Sequence, residues 1–303
     1  MSEPCGILIV NKPVGITSHD VVGRVRRLFG TRRVGHTGTL DPLAFGVLVV
    51  LIGRAAKAAE YLVCDQKSYR ATMRLGLTSD TEDITGTLAV SNSPIPSCDE
   101  VITATRAFVG DIEQIPPMYS ALKVDGQKLY DLARRGITVE RKARPITIHA
   151  LTATPTDAPS DYLLDVTCSS GTYIRTLCAD IGASLGCGAV MATLERTAAG
   201  GFSIEQAYTL DQLDEMSLSD RLACLLPTES LFTTLSEVRL PAFYERLFRS
   251  GCEIYQKKLG THLELGTRVR VCNADGKFFA LGEVREYEDG TAIKSLKLFD
   301  LDN

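Results

Sequence analysis

The chain of 303 residues has no tryptophan and only four histidines. It has no stretch approaching the roughly 20 consecutive apolar residues that a membrane helix needs, so no membrane partner is expected. Nine cysteines (Cys5, Cys64, Cys98, Cys168, Cys178, Cys187, Cys224, Cys252, Cys272) are scattered, odd in number and never spaced C-x-x-C. That argues against a zinc site and a disulfide framework, and for reduced thiols. There is no G-x-G-x-x-G at a strand end, no G-x-x-x-x-G-K-[ST] and no cluster of metal-ligand residues, so neither a cofactor nor a metal is expected. The N-terminus, MSEPCGILIVNKP, lacks a basic region ahead of its short apolar run; no signal peptide and a cytoplasmic location are expected.

Excess positive charge is also missing, since the formal net charge is −4. The distribution is uneven, however. Residues 1–57 hold eight basic against three acidic groups, and residues 120–150 hold seven (Lys123, Lys128, Arg134, Arg135, Arg141, Lys142, Arg144) against three. Two such basic runs are either solvated surface or one phosphate-binding face on an otherwise acidic protein. With 45% hydrophobic residues the chain can bury a good core and divide into a large and a small domain.

What is present in concentration is glycine, proline and one carboxylate in the stretch Gly35–Gly46, GHTGTLDPLAFG, just ahead of the apolar run Val47–Ile52 that reads as a buried strand. Pro42 restricts the backbone of Asp41 and makes it more constrained than an ordinary loop carboxylate. An Asp-Pro pair can equally open a plain turn, and His36 can be a solvated loop histidine.

Along the chain, Gly6–Val10 reads as a strand, Lys12-Pro13-Val14-Gly15 as a turn, and Thr17-Ser18-His19-Asp20 as the capped start of a helix. The apolar face of that helix is Val21, Val22, Val25, Leu28 and Phe29, Gly30 ends it, and Arg24, Arg26 and Arg27 are left on the outer side. Ala55–Leu62 reads as a helix, and Lys67–Leu75 as a strand with Tyr69, Ala71, Met73 and Leu75 on one face. Residues 76–93 are a polar excursion or hairpin, Asp99–Val109 a helix, Gln127–Arg135 a short helix, and Pro145–Thr152 and Tyr162–Thr167 strands. Ile174, Leu177, Cys178, Ile181 and Leu185 repeat at helical spacing. Arg175 falls in the first turn of that helix, where the dipole disfavours a cation, and the misfit points to a compensating partner. Leu210–Leu225 reads as helical, Pro227 as a boundary, and the remainder as a β-rich module with strands at Arg268–Cys272, Phe278–Val284 and Ala292–Leu298 around an Asn273-Ala274-Asp275-Gly276 turn.

The central loop resembles the GH[TS]G-x-LDP-x-A-x-G motif of the TruB family of tRNA pseudouridine synthases, which His36, Gly38, Leu40, Asp41, Pro42, Ala44 and Gly46 match. Lys12, Pro13, Gly15, Thr17 and Ser18 resemble its K-P-x-G-x-[TS]-S motif. Tyr69 resembles the tyrosine of its K-x-Y strand, and the segments 114–123 and Ser170-Gly171-Thr172-Tyr173-Ile174-Arg175 resemble two further stretches. The resemblance covers most of residues 6–205. It implies an α+β pseudouridine synthase fold with a mixed, mainly antiparallel sheet flanked by helices, in a catalytic domain at 1–230 followed by a small β-rich, PUA-like RNA-binding module at 231–303.

By the same resemblance Asp41 is the nucleophile, paired with Arg175. Tyr69 lies against the target uracil with a part in proton transfer, Tyr173 and Leu194 contact the flipped base, His36 lies against the substrate loop where the base has left, and Lys12 binds substrate. One departure stands out. The family commonly carries another arginine just after that leucine, whereas this chain reads Glu195-Arg196, which bears on the RNA contacts near Leu194.

The implied activity is isomerisation of uridine 55 in the T loop of tRNA by a monomer with no cofactor. That reaction is redox-neutral, and it needs one carboxylate kept ionised by a cation once a bound base excludes water. Extruding the uridine costs a few kcal/mol that pocket contacts must offset. The residues leave attack at C6 or at C1′ open. They also leave open an RNA-binding or tRNA-folding module in which catalysis is secondary, and a family member acting on another RNA.

Overall fold

The computed structural model describes residues 3–62, 66–120, 122–124 and 126–299; Cys64, Ala121 and Asp125 lie outside them. Strand β1 (Gly6–Lys12) leads into α1 (Ser18–Phe29). The helix begins where expected for the expected reason. Thr17 Oγ1 accepts from the Asp20 amide at 3.1 Å, while the Asp20 carboxylate accepts from the Thr17 amide at 2.8 Å. Gly30 ends it in the left-handed region at φ 63°. Strands β2 (Val34–His36) and β3 (Phe45–Ile52) then flank the glycine-rich loop.

Gly53–Tyr61 winds as 3-10 turns where an α-helix was expected. It opens at a left-handed glycine with no capping side chain, and the small residues Ala55 and Ala58 let it lie close against the protein interior. Next come β4 (Gln66–Leu75), the hairpin β5 (Leu77–Ser79) and β6 (Leu88–Val90), α2 (Cys98–Arg106) and β7 (Gly110–Gln114). The basic segment folds as a hairpin of β8 (Lys123–Val124) and β9 (Gln127–Lys128) with α3 (Leu129–Ala133). It is followed by β10 (Arg144–Pro155), β11 (Asp161–Ser169), α4 (Ile174–Ser184), β12 (Ala189–Ala199), β13 (Phe202–Ser203) and β14 (Tyr208–Thr209).

These strands form one mixed sheet in the order β14-β1-β3-β12-β4-β11-β10-β7, with β2 on β3 and β13 on β12. Only the β1–β14 and β3–β12 pairings are parallel, so the sheet is mainly antiparallel. The fold class is therefore the α+β arrangement expected from the sequence. Its central strand is not. β12 has alanines and a charged Glu195-Arg196 pair in place of clean alternation, and its pairing with β4 shifts register twice, so no period-2 signal marks it. Helices α2 and α4 cover one part of the sheet, and α1 packs on another together with α5 (Leu210–Glu215). The single helix expected over Leu210–Leu225 is in fact two, because Met216 is extended and the Ser217 hydroxyl caps a new start at α6 (Leu218–Ala223).

Residues beyond 235 build a second, five-stranded sheet in the order β15-β17-β18-β19-β16, from β15 (Ser236–Arg239), β16 (Ile254–Tyr255), β17 (Arg268–Cys272), β18 (Phe278–Tyr287) and β19 (Gly290–Leu298). Helices α7 (Ala242–Arg249) and α8 (Gln256–Leu259) accompany it. Phe232, Leu281 and Phe299 gather with Ala58 in one apolar cluster that joins the second sheet to the 3-10 segment. Among the described residues no helix is long and apolar enough to cross a membrane.

One backbone position matters for the site. Gly46, the second residue of β3, adopts φ 100°, and a Cβ there would stand 2.3 Å from the Arg196 carbonyl oxygen of β12. Gly15 has a similar φ of 91° but open space around it. Gly15→Ala should therefore cost about 1 kcal/mol of backbone strain, and Gly46→Ala about 3 kcal/mol or more because the two central strands must also part. Urea unfolding of both variants measures the difference.

Candidate active site

The loop that carries Asp41 is held from below by the N-terminal motif. Ser18, the first residue of α1, accepts from the Leu40 amide at 2.8 Å and donates to the Leu40 carbonyl at 3.1 Å. The Gly15 amide donates to the Pro42 carbonyl at 2.8 Å, and the Ala44 amide closes a turn on the Asp41 carbonyl at 3.0 Å. Leu40 and Ala44 are buried, so Asp41 projects from an anchored turn. The K-P-x-G-x-T-S segment is thus a scaffold for the loop that carries the carboxylate.

Arg175 reaches that loop from the first turn of α4. Its Nη2 lies 2.9 Å from Asp41 Oδ2, with the guanidinium side chain 6% exposed and the carboxylate 43%. The same Nη2 donates to the Tyr119 carbonyl at 2.9 Å and Nη1 to the Thr81 carbonyl at 3.0 Å. Buried Asp83 stands 3.8 Å from Nη1 and is itself held by the Thr85 amide at 2.9 Å and by the Thr81 hydroxyl at 2.8 Å. The first-turn arginine is therefore compensated by three converging loops, one of them the hairpin excursion between β5 and β6. Beside it Glu82 adopts φ 63°, its carboxylate accepts from the Thr176 hydroxyl, and burial pushes its pKa up.

Gln114, at the end of β7, fixes the other wall. Its side-chain oxygen accepts from the Tyr173 amide at 2.8 Å and its nitrogen donates to the Tyr173 carbonyl at 3.1 Å, pinning the residue that opens α4. Thr81, Asp83 and Gln114 carry much of the geometry but were not singled out in the sequence. Short polar residues in a turn-rich stretch have no periodicity, and the T-x-D spacing of Thr81 and Asp83 is the one local sign of a structured turn.

The result is a cavity of about 310 Å³. Asp41, Tyr69, Tyr173, Arg175 and Leu194 all line it, together with Lys67, Ser120 and apolar Leu40, Leu122 and Ile174. Two aromatic faces, a leucine and one ion pair suit a planar polar ring. Burial pushes both the Tyr69 and the Tyr173 phenols up, so each is a protonated hydroxyl at neutral pH.

The remaining site candidates lie elsewhere. His36 sits half-buried on β2 and does not line the cavity; desolvation, followed by the charge of Arg196, lowers its pKa. Lys12, expected as a substrate-binding residue, is fully buried, with Nζ donating to the Pro13 carbonyl at 2.9 Å and the Ile16 carbonyl at 2.7 Å. Its ammonium shapes the turn beneath the loop that carries Asp41 and does not reach the cavity wall. The outward arginines of α1 are also partly committed. Arg24 pairs with Asp211 and Asp214 of α5, Arg26 donates to the Val34 carbonyl at 3.3 Å, and Arg27 stays exposed.

Burial, partly offset by Asp41, lowers the Lys12 pKa to about 8 from the ordinary 10.5. Between those values the unfolded chain keeps a proton that the folded chain has released, so this lysine's burden on stability shrinks as pH rises. Relative to Lys12→Met, the wild type should gain about 2 kcal/mol between about pH 7.5 and about pH 9.5. Urea unfolding of both proteins at the two pH values provides the measurement.

Comparison with known proteins shows the family. Residues 26–174 match the TruB family pseudouridylate synthase N-terminal domain, and residues 175–233 match the tRNA pseudouridylate synthase B C-terminal domain. The chain is 44% identical over 279 residues to tRNA pseudouridine synthase B of Clostridium novyi, covering 91% of this chain and 94% of that protein. It is 44% identical over 285 residues to the protein of the same name in Burkholderia mallei, covering 93% of each. A structure described as a Cbf5-Nop10-Gar1 complex superposes with a TM-score of 0.75 at 25% identity, over 97% of this chain and 85% of that one. A second, of an H/ACA RNP bound to a substrate RNA containing 2'-deoxyuridine, shares the fold with a TM-score of 0.74 at 23% identity, over 98% of this chain and 85% of that one. The loop that carries Asp41, the helix that carries Arg175 and the strands that bring them together thus sit in a chain that belongs to the TruB family of pseudouridylate synthases.

Proposed function

We propose that this protein isomerises uridine 55 in the T loop of tRNA to pseudouridine, with Asp41 as the nucleophile. The observation that carries the reading is the 2.9 Å Asp41–Arg175 ion pair inside a cavity walled by Tyr69, Tyr173 and Leu194. A flipped uracil stacks between the tyrosines and Leu194 and excludes water from the pair. Arg175, fixed by the Thr81 and Tyr119 carbonyls, holds the carboxylate in place as its solvent leaves. The Asp41 carboxylate bonds to the nucleoside at C6 or at C1′, the N1–C1′ bond breaks, the base turns, and C1′ bonds to C5 as the bond to Asp41 is released. C5 gives up its proton and N1 gains one, so substrate and product are isomers and Asp41 is regenerated. Tyr69, a protonated phenol against the ring, relays the C5 proton. His36, on the strand that enters the loop, fills the space the base vacates.

In this reading the RNA lies over the exposed basic groups Arg27, Arg32, Lys57, Arg134, Lys142 and Arg144. The second sheet, within a module spanning 231–303, is PUA-like and grips the same tRNA. The protein works as a monomer, in the cytoplasm where its substrate is made.

Asp41→Asn should bind T-arm RNA like the wild type while single-turnover conversion falls on the order of 10⁴-fold or more. A fall of less than about 100-fold refutes Asp41 as nucleophile. Mapping pseudouridine in cells whose sole copy carries that substitution should show loss at tRNA position 55, and loss in a different RNA instead would redirect the substrate assignment. T-arm affinity should fall steeply and linearly in log–log form with salt, by about 0.7 to 0.9 in slope per phosphate contacted. A flat response contradicts the basic face.

A further inference from the structure

Directly after Leu194, the sequence departs from the family pattern at Glu195-Arg196. Arg196 was associated there with RNA contacts, yet it is fully buried and does not line the cavity. Its backbone is paired on both sides, with Gly46 of β3 and with Tyr69 of β4, so it lies at the seam between the strand that leaves the catalytic loop and the strand that carries the tyrosine.

The side chain spans the same seam. Nε donates to the Val47 carbonyl at 2.7 Å and Nη2 to the Gly38 carbonyl at 3.2 Å, and the guanidinium charge acts on the Tyr69 phenol, opposing the upward push of burial on its pKa. Gly38 and Val47 bracket Asp41 in sequence, so one planar group ties both ends of the loop to each other, on a residue whose backbone pairs with Tyr69. Gly38 holds φ 86°, a left-handed backbone that favours glycine, where its carbonyl meets the guanidinium. A lysine could carry the charge but not the fork that reaches both carbonyls at once.

We propose that Arg196 is a positioning residue for this reaction: by tying both ends of the loop at the seam with β4 it sets Asp41 and Tyr69 in mutual register, without touching RNA. The proposal rests on the functional reading above.

The test uses Arg196→Lys and Arg196→Gln in the full-length protein. The single-turnover rate on T-arm RNA should fall about 100-fold in both, while the dissociation constant for that RNA stays within about threefold of the wild type. Amide exchange at Thr37, Leu40 and Ala44 should quicken in the free variants, with the rest of the sheet unchanged. A variant that keeps a third or more of the wild-type rate overturns the proposal. So does a loss of affinity that matches the loss of rate, or unfolding of both variants, which would make Arg196 structural only. If the wild type converts no uridine in T-arm RNA, the functional reading fails instead. The exchange measurement then still decides whether Arg196 braces the loop.

Discussion

The site depends on one charge pair whose members are 134 positions apart in the chain, Asp41 and Arg175. A guanidinium with a side chain only 6% exposed is expensive to desolvate, and near the start of a helix it also opposes the dipole. It is tolerated because carbonyls from two loops and the Asp41 carboxylate complete its coordination. The folds of the β5–β6 hairpin and of the segment around Tyr119 are consequences of that requirement. Their polar groups are spent on Arg175, and so they close the cavity on that side.

The carboxylate half of the pair is supported differently. Its loop is stapled to α1 through Ser18, to the Lys12–Ile16 turn through Gly15 and Lys12, and to the sheet through Arg196. Two fully buried cations, Lys12 and Arg196, therefore lie behind Asp41, each donating to backbone carbonyls. They make the loop a rigid part of the core despite its glycines. The loop's freedom is used once, in folding, to bring the chain within reach of Arg196 at Gly46.

Much of this was legible in the residues. The capping box of Thr17 and Asp20, the strand face of Tyr69, Ala71, Met73 and Leu75, and the polar hairpin at 76–93 all follow local rules, and local rules decided them. The misplaced charge of Arg175 was itself readable as a demand for a partner. The errors have physical causes. β12 lacks alternation because it is paired along both edges and covered on its faces, so burial, not period, chose its residues. Lys12 reads as a surface cation in any one-dimensional view, and only the closing of its own turn supplies the carbonyls that let it be buried.

Sequence alone determined which chemical groups are available and what backbone each can adopt: an Asp-Pro in a glycine-rich loop, a tyrosine on a core-facing strand edge, an arginine where a helix begins. These are short-range matters of sterics and periodicity. Tertiary structure decided which of them meet. Sheet order β3-β12-β4 puts Gly46, Arg196 and Tyr69 side by side, and α4 packing over that sheet brings Arg175 to Asp41. Coulomb and hydrogen-bond energies at 3 Å depend on distances that no local pattern encodes, which is why Thr81, Asp83, Gln114 and Arg196 acquire their roles only when the chain is folded.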